Sequence, residues 1–287
     1  MEARDQYREP QTLWRSPSVI WTACDCSTTV IGGCVANPAP GNRRENALSE
    51  LSTMLLFTTL AGAAILVGGL AAKVERIRPK WLESEVRHSI IAFGGGVLIS
   101  AVALVLVPEG NRLISSAPVA SLFLVFGGFV FFVVERFLGI RRRETPQFVA
   151  MLLDYLPESL ALGGMFAVGA PSAPMLALLI GLQNLPEGFN SYRELNSLPN
   201  FKPRKTLLLM CLLIPLGPLI GTIGWVYGAD HTVFLGGIML FASGGILYLL
   251  FQDVAPQAHL DRHWAPALGA VLGFGVGMLG QLLVPGG

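Results

Sequence analysis

Two short stretches of the 287-residue chain carry acidic and amide side chains at a spacing that suits cation chemistry. The first reads Asp154-Tyr155-Leu156-Pro157-Glu158-Ser159 and the second Gln183-Asn184-Leu185-Pro186-Glu187-Gly188. Each places an oxygen-bearing residue three positions before a Pro-Glu pair. A spacing of four puts Asp154 and Glu158 on one helix face, and does the same for Gln183 and Glu187. The prolines add to this. Pro157 has no N–H for the carbonyl of Leu153, and Pro186 has none for that of Leu182, so each helix is expected to kink beside its first ligand. Three carboxylates and an amide make an oxygen-rich cage for a divalent cation. Left empty, such a cage would hold mutually repelling charges.

The elements that must hold these residues are apolar. Eight segments, at roughly 51–72, 88–107, 118–138, 147–169, 174–194, 206–227, 232–252 and 264–284, are each long enough to cross a hydrocarbon core of about 30 Å. The fold class expected is therefore an all-α polytopic membrane protein with eight transmembrane helices and the metal site between helices four and five. Both Pro-Glu stretches fall near mid-span, where irregular backbone is tolerated only beside a cavity or a partner and where acids are functional candidates.

Composition agrees. Charged residues are 14% of the chain, against about 25% in soluble domains, and the mean hydropathy is +0.57. The 33 glycines suit helices that pack closely in a bilayer. A net charge of +1 argues against a nucleic-acid partner. Fourteen Lys and Arg fall on alternate loops and one, Arg112, on the others, which places the first, third, fifth and seventh loops in the cytoplasm and both termini outside it. The expected location is the cell (inner) membrane. Residues 1–46, with Cys24, Cys26 and Cys34, read as a disordered tail, and a metal or disulfide role for those cysteines is the alternative. Residues 47–287 read as the transmembrane domain.

These features resemble the ZIP (Zrt/Irt-like) family of divalent-metal transporters, in its bacterial GufA-like branch. The paired Pro-Glu motifs carry the likeness, joined by Pro108-Glu109 at the end of helix two and Phe241-Ala242-Ser243-Gly244 in helix seven. The resemblance covers about residues 47–287. It implies a secondary transporter that carries a divalent cation, Zn²⁺ foremost and Mn²⁺ or Fe²⁺ as alternatives, into the cytoplasm. The metal ligands would be Asp154, Glu158, Gln183 and Glu187. The cation is cargo, and no resident cofactor or catalytic residue is implied. Access would alternate as helices four and five move against the rest. The family often has a second metal, held from the positions of Tyr155 and Asn184 and from a Glu where this chain has Ile214. Tyr155 and Ile214 cannot supply those ligands, so one site is expected rather than two. The implied partners are the ion and the lipid bilayer, with a homodimer left open.

Two other functions compete. One is a family member that binds or senses metal without moving it. The other is an intramembrane hydrolase using Asp154 or Glu158, although the sequence contains no H-E-x-x-H motif. Among the remaining polar residues, Glu109 reads as a cation lure or a helix-end charge. Asp253, Gln252, His259 and His263 read as an exit station or a solvated loop. Glu135 is expected to pair with Arg136, Arg193 to snorkel, and Cys211 to pack inside helix six. His88 reads as interfacial, and His231 as an outer-loop residue that makes only a weak site with Asp230.

The family's usual His at the first ligand position is Asp154 here. A carboxylate in place of imidazole favours Mn²⁺ relative to Zn²⁺. Asp154→His is expected to shift relative uptake back towards Zn²⁺, and an unchanged Zn²⁺/Mn²⁺ ratio in that variant would count against Asp154 as a ligand.

Overall fold

Apolar residues without strand periodicity, punctuated by proline, produce helices here. The computed structural model describes residues 40–75, 80–141, 146–260 and 264–283, and no strand occurs among them. In chain order the helices are α1 (Pro40–Val74), α2 (Lys80–Ala101, prolonged by Val102–Leu106 and Val107–Leu113), α3 (Ala117–Arg141), α4 (Pro146–Ala167), α5 (Ala173–Ser197), α6 (Pro203–Leu213 and Leu216–Gly228), α7 (Thr232–Leu249, prolonged by Leu250–Val254 and Ala255–Ala258) and α8 (Ala265–Leu283). Proline opens α1, α4 and the first half of α6, where its missing N–H has no intrahelical acceptor to lose.

Pro108 and Pro256 fall inside α2 and α7. A proline ring collides with the carbonyl four residues back. Both helices widen just before it into a π turn, Val102–Leu106 and Leu250–Val254. Ile214 and Pro215 break α6 into two.

Among the described residues, seven helices are long and apolar enough to cross a membrane. The expected count was eight. The long helix left out is α5, which holds the segment expected at 174–194. Gln183, Asn184, Glu187, Asn190, Arg193 and Glu194 lower its apolarity, and Gln183, Asn184 and Asn190 are buried. Its polar groups therefore face protein. On the outside the bundle is greasy, with Leu122, Val125, Phe129, Leu219, Leu268 and Leu282 all exposed.

Glycine decides which helices touch most closely. A methyl group built on Gly188 would strike the carbonyl of Ile65, joining α5 to α1, and one on Gly163 would strike that of Gly221, joining α4 to α6. The same seam joins α2 to α8 at Gly273 and Phe93, and α3 to α7 at Gly244 and Leu124. Two sets emerge, α1 with α4, α5 and α6, and α2 with α3, α7 and α8. Between the sets the contacts run through side chains: the Pro186 ring lies against Gly94, and Leu235 against Gly164.

Polar contacts mark the two ends. At one end Arg193 meets Glu75 at 2.6 Å, the Glu194 carboxylate accepts the backbone N–H groups of Gln147 (3.2 Å) and Phe148 (3.0 Å) at the start of α4, and Gln147 donates to Gln257 at 2.6 Å. At the other end the Ser172 hydroxyl donates to Glu109 at 2.5 Å. The first, third, fifth and seventh connections thus share one end, as the charge count requires.

The expected tail lies mostly outside the described residues, as do its cysteines. Its last seven positions, 40–46, are the start of α1.

If glycine sets the helix spacing, Gly163→Ala should destabilise the protein by about 1–3 kcal/mol through overpacking. Gly275→Ala, with nothing within 4 Å of the new methyl, should not. Thermal unfolding in detergent measures both, and equal midpoints for the two variants would refute the assignment.

Candidate functional site

The site begins with a turn. Residues 168–172 link α4 to α5, and Gly169 has φ +63°, a left-handed backbone that glycine adopts without penalty. The N–H of Ala170 reaches the carbonyl of Met165 (2.9 Å) and that of Gly169 reaches Phe166 (3.1 Å), the paired bonds of a Schellman cap. The two helices therefore run antiparallel from a tight link. Counting outward from Ala170 and Pro171, Glu158 and Gln183 are both twelve residues away, and Asp154 and Glu187 are both sixteen. The hairpin sets the two Pro-Glu turns opposite each other.

The side chains follow this pairing. Gln183 Nε2 donates to Glu158 Oε2 at 2.6 Å. Asp154 lies within electrostatic range of Glu187 and Glu158. Asp154 is 4% exposed, and Glu158 and Gln183 are fully buried. One oxygen of each of the four expected ligands has no hydrogen-bond partner: Asp154 Oδ1, Glu158 Oε1, Gln183 Oε1 and Glu187 Oε2. Among the described residues eight buried side-chain atoms are in this condition, and seven of them lie on α4 or α5. An unpartnered buried polar atom costs about 1–3 kcal/mol, so their concentration at two facing turns needs an explanation. Among the described residues, no three His, Cys, Asp or Glu side chains stand close enough to grip an ion as they are. A cation here would have to draw the carboxylates and the Gln183 carbonyl inward.

A second group adjoins them. Tyr155 is 1% exposed, and a methyl on Gly62 or Gly217 would collide with its hydroxyl. The carbonyl of Ile214 also faces Gly62. Asn184 Nδ2 donates to the carbonyl of Ala61 at 2.8 Å. Tyr155, Asn184 and Ile214 thus gather around Ala61-Gly62, with the phenol hydroxyl against Gly62 and Gly217.

Several expectations for other residues change. Glu109 is held by Ser172 and by Arg112 at 2.7 Å, so it ties α2 to the start of α5. Glu135 is not paired with Arg136. Arg136 is exposed, Glu135 Oε2 is buried without a partner, and the Glu135 carboxylate lies within electrostatic range of Asp253 and Tyr248. Asp253 sits in the π turn of α7 and is 9% exposed, which is not a solvated loop. Arg193 pairs with Glu75 over the Phe189 ring instead of snorkelling. Cys211 is exposed. His88 Nδ1 lies 2.6 Å from its own helix at Ser84 O, and His231 precedes α7. His263 lies outside the described residues.

Sequence reasoning missed two contributors. Asn190, four residues beyond Pro186, donates through Nδ2 to the Pro186 carbonyl at 2.9 Å and leaves Oδ1 unpartnered. Glu194 caps α4. The i, i+3 spacing of Glu187 and Asn190 was the available signal for the first, while nothing in the sequence pairs residue 194 with 147.

No model of a known protein family matches the sequence, and no curated protein matches it.

Gln183→Leu removes the donor to a buried carboxylate. It should lower stability by about 1.5–3 kcal/mol. Thermal unfolding reads this directly, and an unchanged midpoint would mean that Glu158 does not depend on the amide.

Proposed function

We propose that the chain spans a bilayer with eight helices, α5 included, and carries divalent cations into the cytoplasm as a ZIP-like secondary transporter. The observation that carries this reading is the set of four unpartnered buried oxygens on the facing Pro-Glu turns of α4 and α5. Carboxylate and amide oxygens are hard donors that suit Zn²⁺, Mn²⁺ or Fe²⁺, and a cation satisfies several of them at once. Glu158 and Gln183 hold one another until an ion arrives. The Gln183 amide then turns its oxygen rather than its nitrogen towards the site.

The exposed Leu, Val and Phe of α3, α6 and α8 suit acyl chains and would be a liability in water. The polar face of α5 is turned inward, which allows it to cross beside the others. The end that carries Glu75, Arg193 and Gln147 also holds Lys73, Arg87 and Lys202 in the chain, and it faces the cytoplasm.

The phenol of Tyr155 favours one ion rather than two. Its hydroxyl packs against Gly62 and Gly217, next to the Ala61 carbonyl that Asn184 bonds, where a neighbouring metal would otherwise be liganded. Alternating access uses a larger body than helices four and five alone. Glycine seams fasten α5 to α1 and α4 to α6, so these four helices move together against α2, α3, α7 and α8. Between the two sets only side chains need to slide.

Purified protein in liposomes should take up Zn²⁺, Mn²⁺, Fe²⁺ or Cd²⁺, and Glu187→Ala should reduce uptake at least about tenfold. The same metals should raise the unfolding temperature of the wild type and not of the variant. Binding without uptake would favour the sensing alternative, and hydrolysis of peptide or lipid without either would favour the enzymatic one.

A further inference from the structure

Glu187 borders a second polar feature that the four-ligand cluster does not use. A cavity of about 20 Å³ lies beside it, bounded by Gly94, Gly95, Gln147, Pro186, Asn190 and Val254 among others. That is room for one water-sized particle. Its polar walls are three residues, Glu187, Asn190 and Gln147. Two of their oxygens, Glu187 Oε2 and Asn190 Oδ1, are buried without a partner, and Asn190 is only 3% exposed. Glu187 and Asn190 are three apart on α5, so they share a face. The bond from Asn190 Nδ2 to the Pro186 carbonyl fixes which end of the amide is free. What remains is an acceptor, and an acceptor suits a cation.

The cavity also has a direction. Its far wall, Gln147, is the second residue of α4, beside Glu194 and Gln257 at the basic end of the bundle. Glycine keeps it open. A methyl on Gly94 would meet the Pro186 ring at 2.9 Å, and one on Gly95 would meet Val254 at 3.0 Å.

We infer that a divalent cation leaving the four-ligand cluster halts next between Glu187 and Asn190, with Asn190 Oδ1 as a ligand and Gln147 at the exit. The inference rests on the transport reading and extends it by one station. Glu187 serves both positions and hands the ion from one to the other. Without Asn190, Gln147 would be the one polar residue left on the cavity wall beyond Glu187.

The competing role for Asn190 is structural, through its bond to the Pro186 carbonyl alone. Asn190→Asp and Asn190→Leu separate the two. Asp keeps an oxygen and, as a carboxylate, has no N–H to donate; Leu has neither group at similar volume. Both are reconstituted in liposomes and assayed for Zn²⁺ and Mn²⁺ uptake, with metal binding to the purified proteins measured alongside. Asn190→Leu should bind metal within about twofold of wild type and lose about tenfold in kcat. Asn190→Asp should hold the ion more tightly, with a lower KM and a lower kcat. Equal loss of kcat in the two variants with no lowering of KM in Asn190→Asp, or kcat within about twofold of wild type for Asn190→Leu, would overturn the station. Absence of uptake by the wild type would overturn the transport reading and this inference with it, whereas wild-type uptake abolished by Glu187→Ala but indifferent to residue 190 would overturn the station alone.

Discussion

The left-handed backbone at Gly169 sets the register on which the polar interior depends. A Schellman cap ends α4 at a fixed point, and α5 starts within a few residues. A link one residue longer would rotate α5 by about 100° relative to α4. Glu158 would then face away from Gln183, and a buried carboxylate would lose its one donor across the hairpin. The cap is local, yet it fixes which side chains meet twelve and sixteen residues away.

Burying those groups works against stability. Several acceptors without donors, each costing about 1–3 kcal/mol, weigh heavily against a net folding free energy of about 5–15 kcal/mol. The close glycine seams offset that strain. Between α1 and α5, or α4 and α6, backbones approach so nearly that a methyl group does not fit, and many dispersion contacts accumulate along each seam. Where the two helix sets meet, Pro186 and Leu235 present side chains to Gly94 and Gly164 instead. Such contacts can shift by rotamer or by sliding, whereas a backbone seam has no slack. The polar cluster belongs to one set and lies close to the softer junction, a combination suited to opening a buried site without unfolding it.

Much of this could be read from the residues. Apolar stretches broken by Lys, Arg and Pro located the helices, and alternate basic loops anticipated which connections share an end. The i, i+4 spacing of Asp154 with Glu158 and Gln183 with Glu187 named the polar cluster. What escaped was cross-chain detail. Arg193 finding Glu75, Glu194 finding the start of α4, and Glu135 turning towards Asp253 depend on helix rotation and neighbour choice, which one helix's periodicity does not encode. The polar residues of the cluster also lowered the apolarity of α5, so the helix with the most unpartnered buried polar atoms is the one that least resembles a span. The hairpin count from Ala170 and Pro171 was present in the sequence and needed only the knowledge that the link is tight.

Tyr155 shows how one substitution redirects a site. A carboxamide at that position would face Asn184 and the α6 break at Ile214 with a free oxygen. The phenol instead projects its ring into the gap, and Gly62 and Gly217 leave space for its hydroxyl. Neither glycine could gain a side chain without displacing the ring, and the ring could not be exchanged for a small residue without leaving a void, which itself costs stability. The three positions therefore constrain one another as a unit. A bulky neutral group lies directly beside a cluster of acids and takes up space next to them. Excluding water there lowers the local dielectric and strengthens each remaining oxygen's hold on a cation. Asp154, Glu158 and Glu187 gather three carboxyl groups beside that ring from one hairpin.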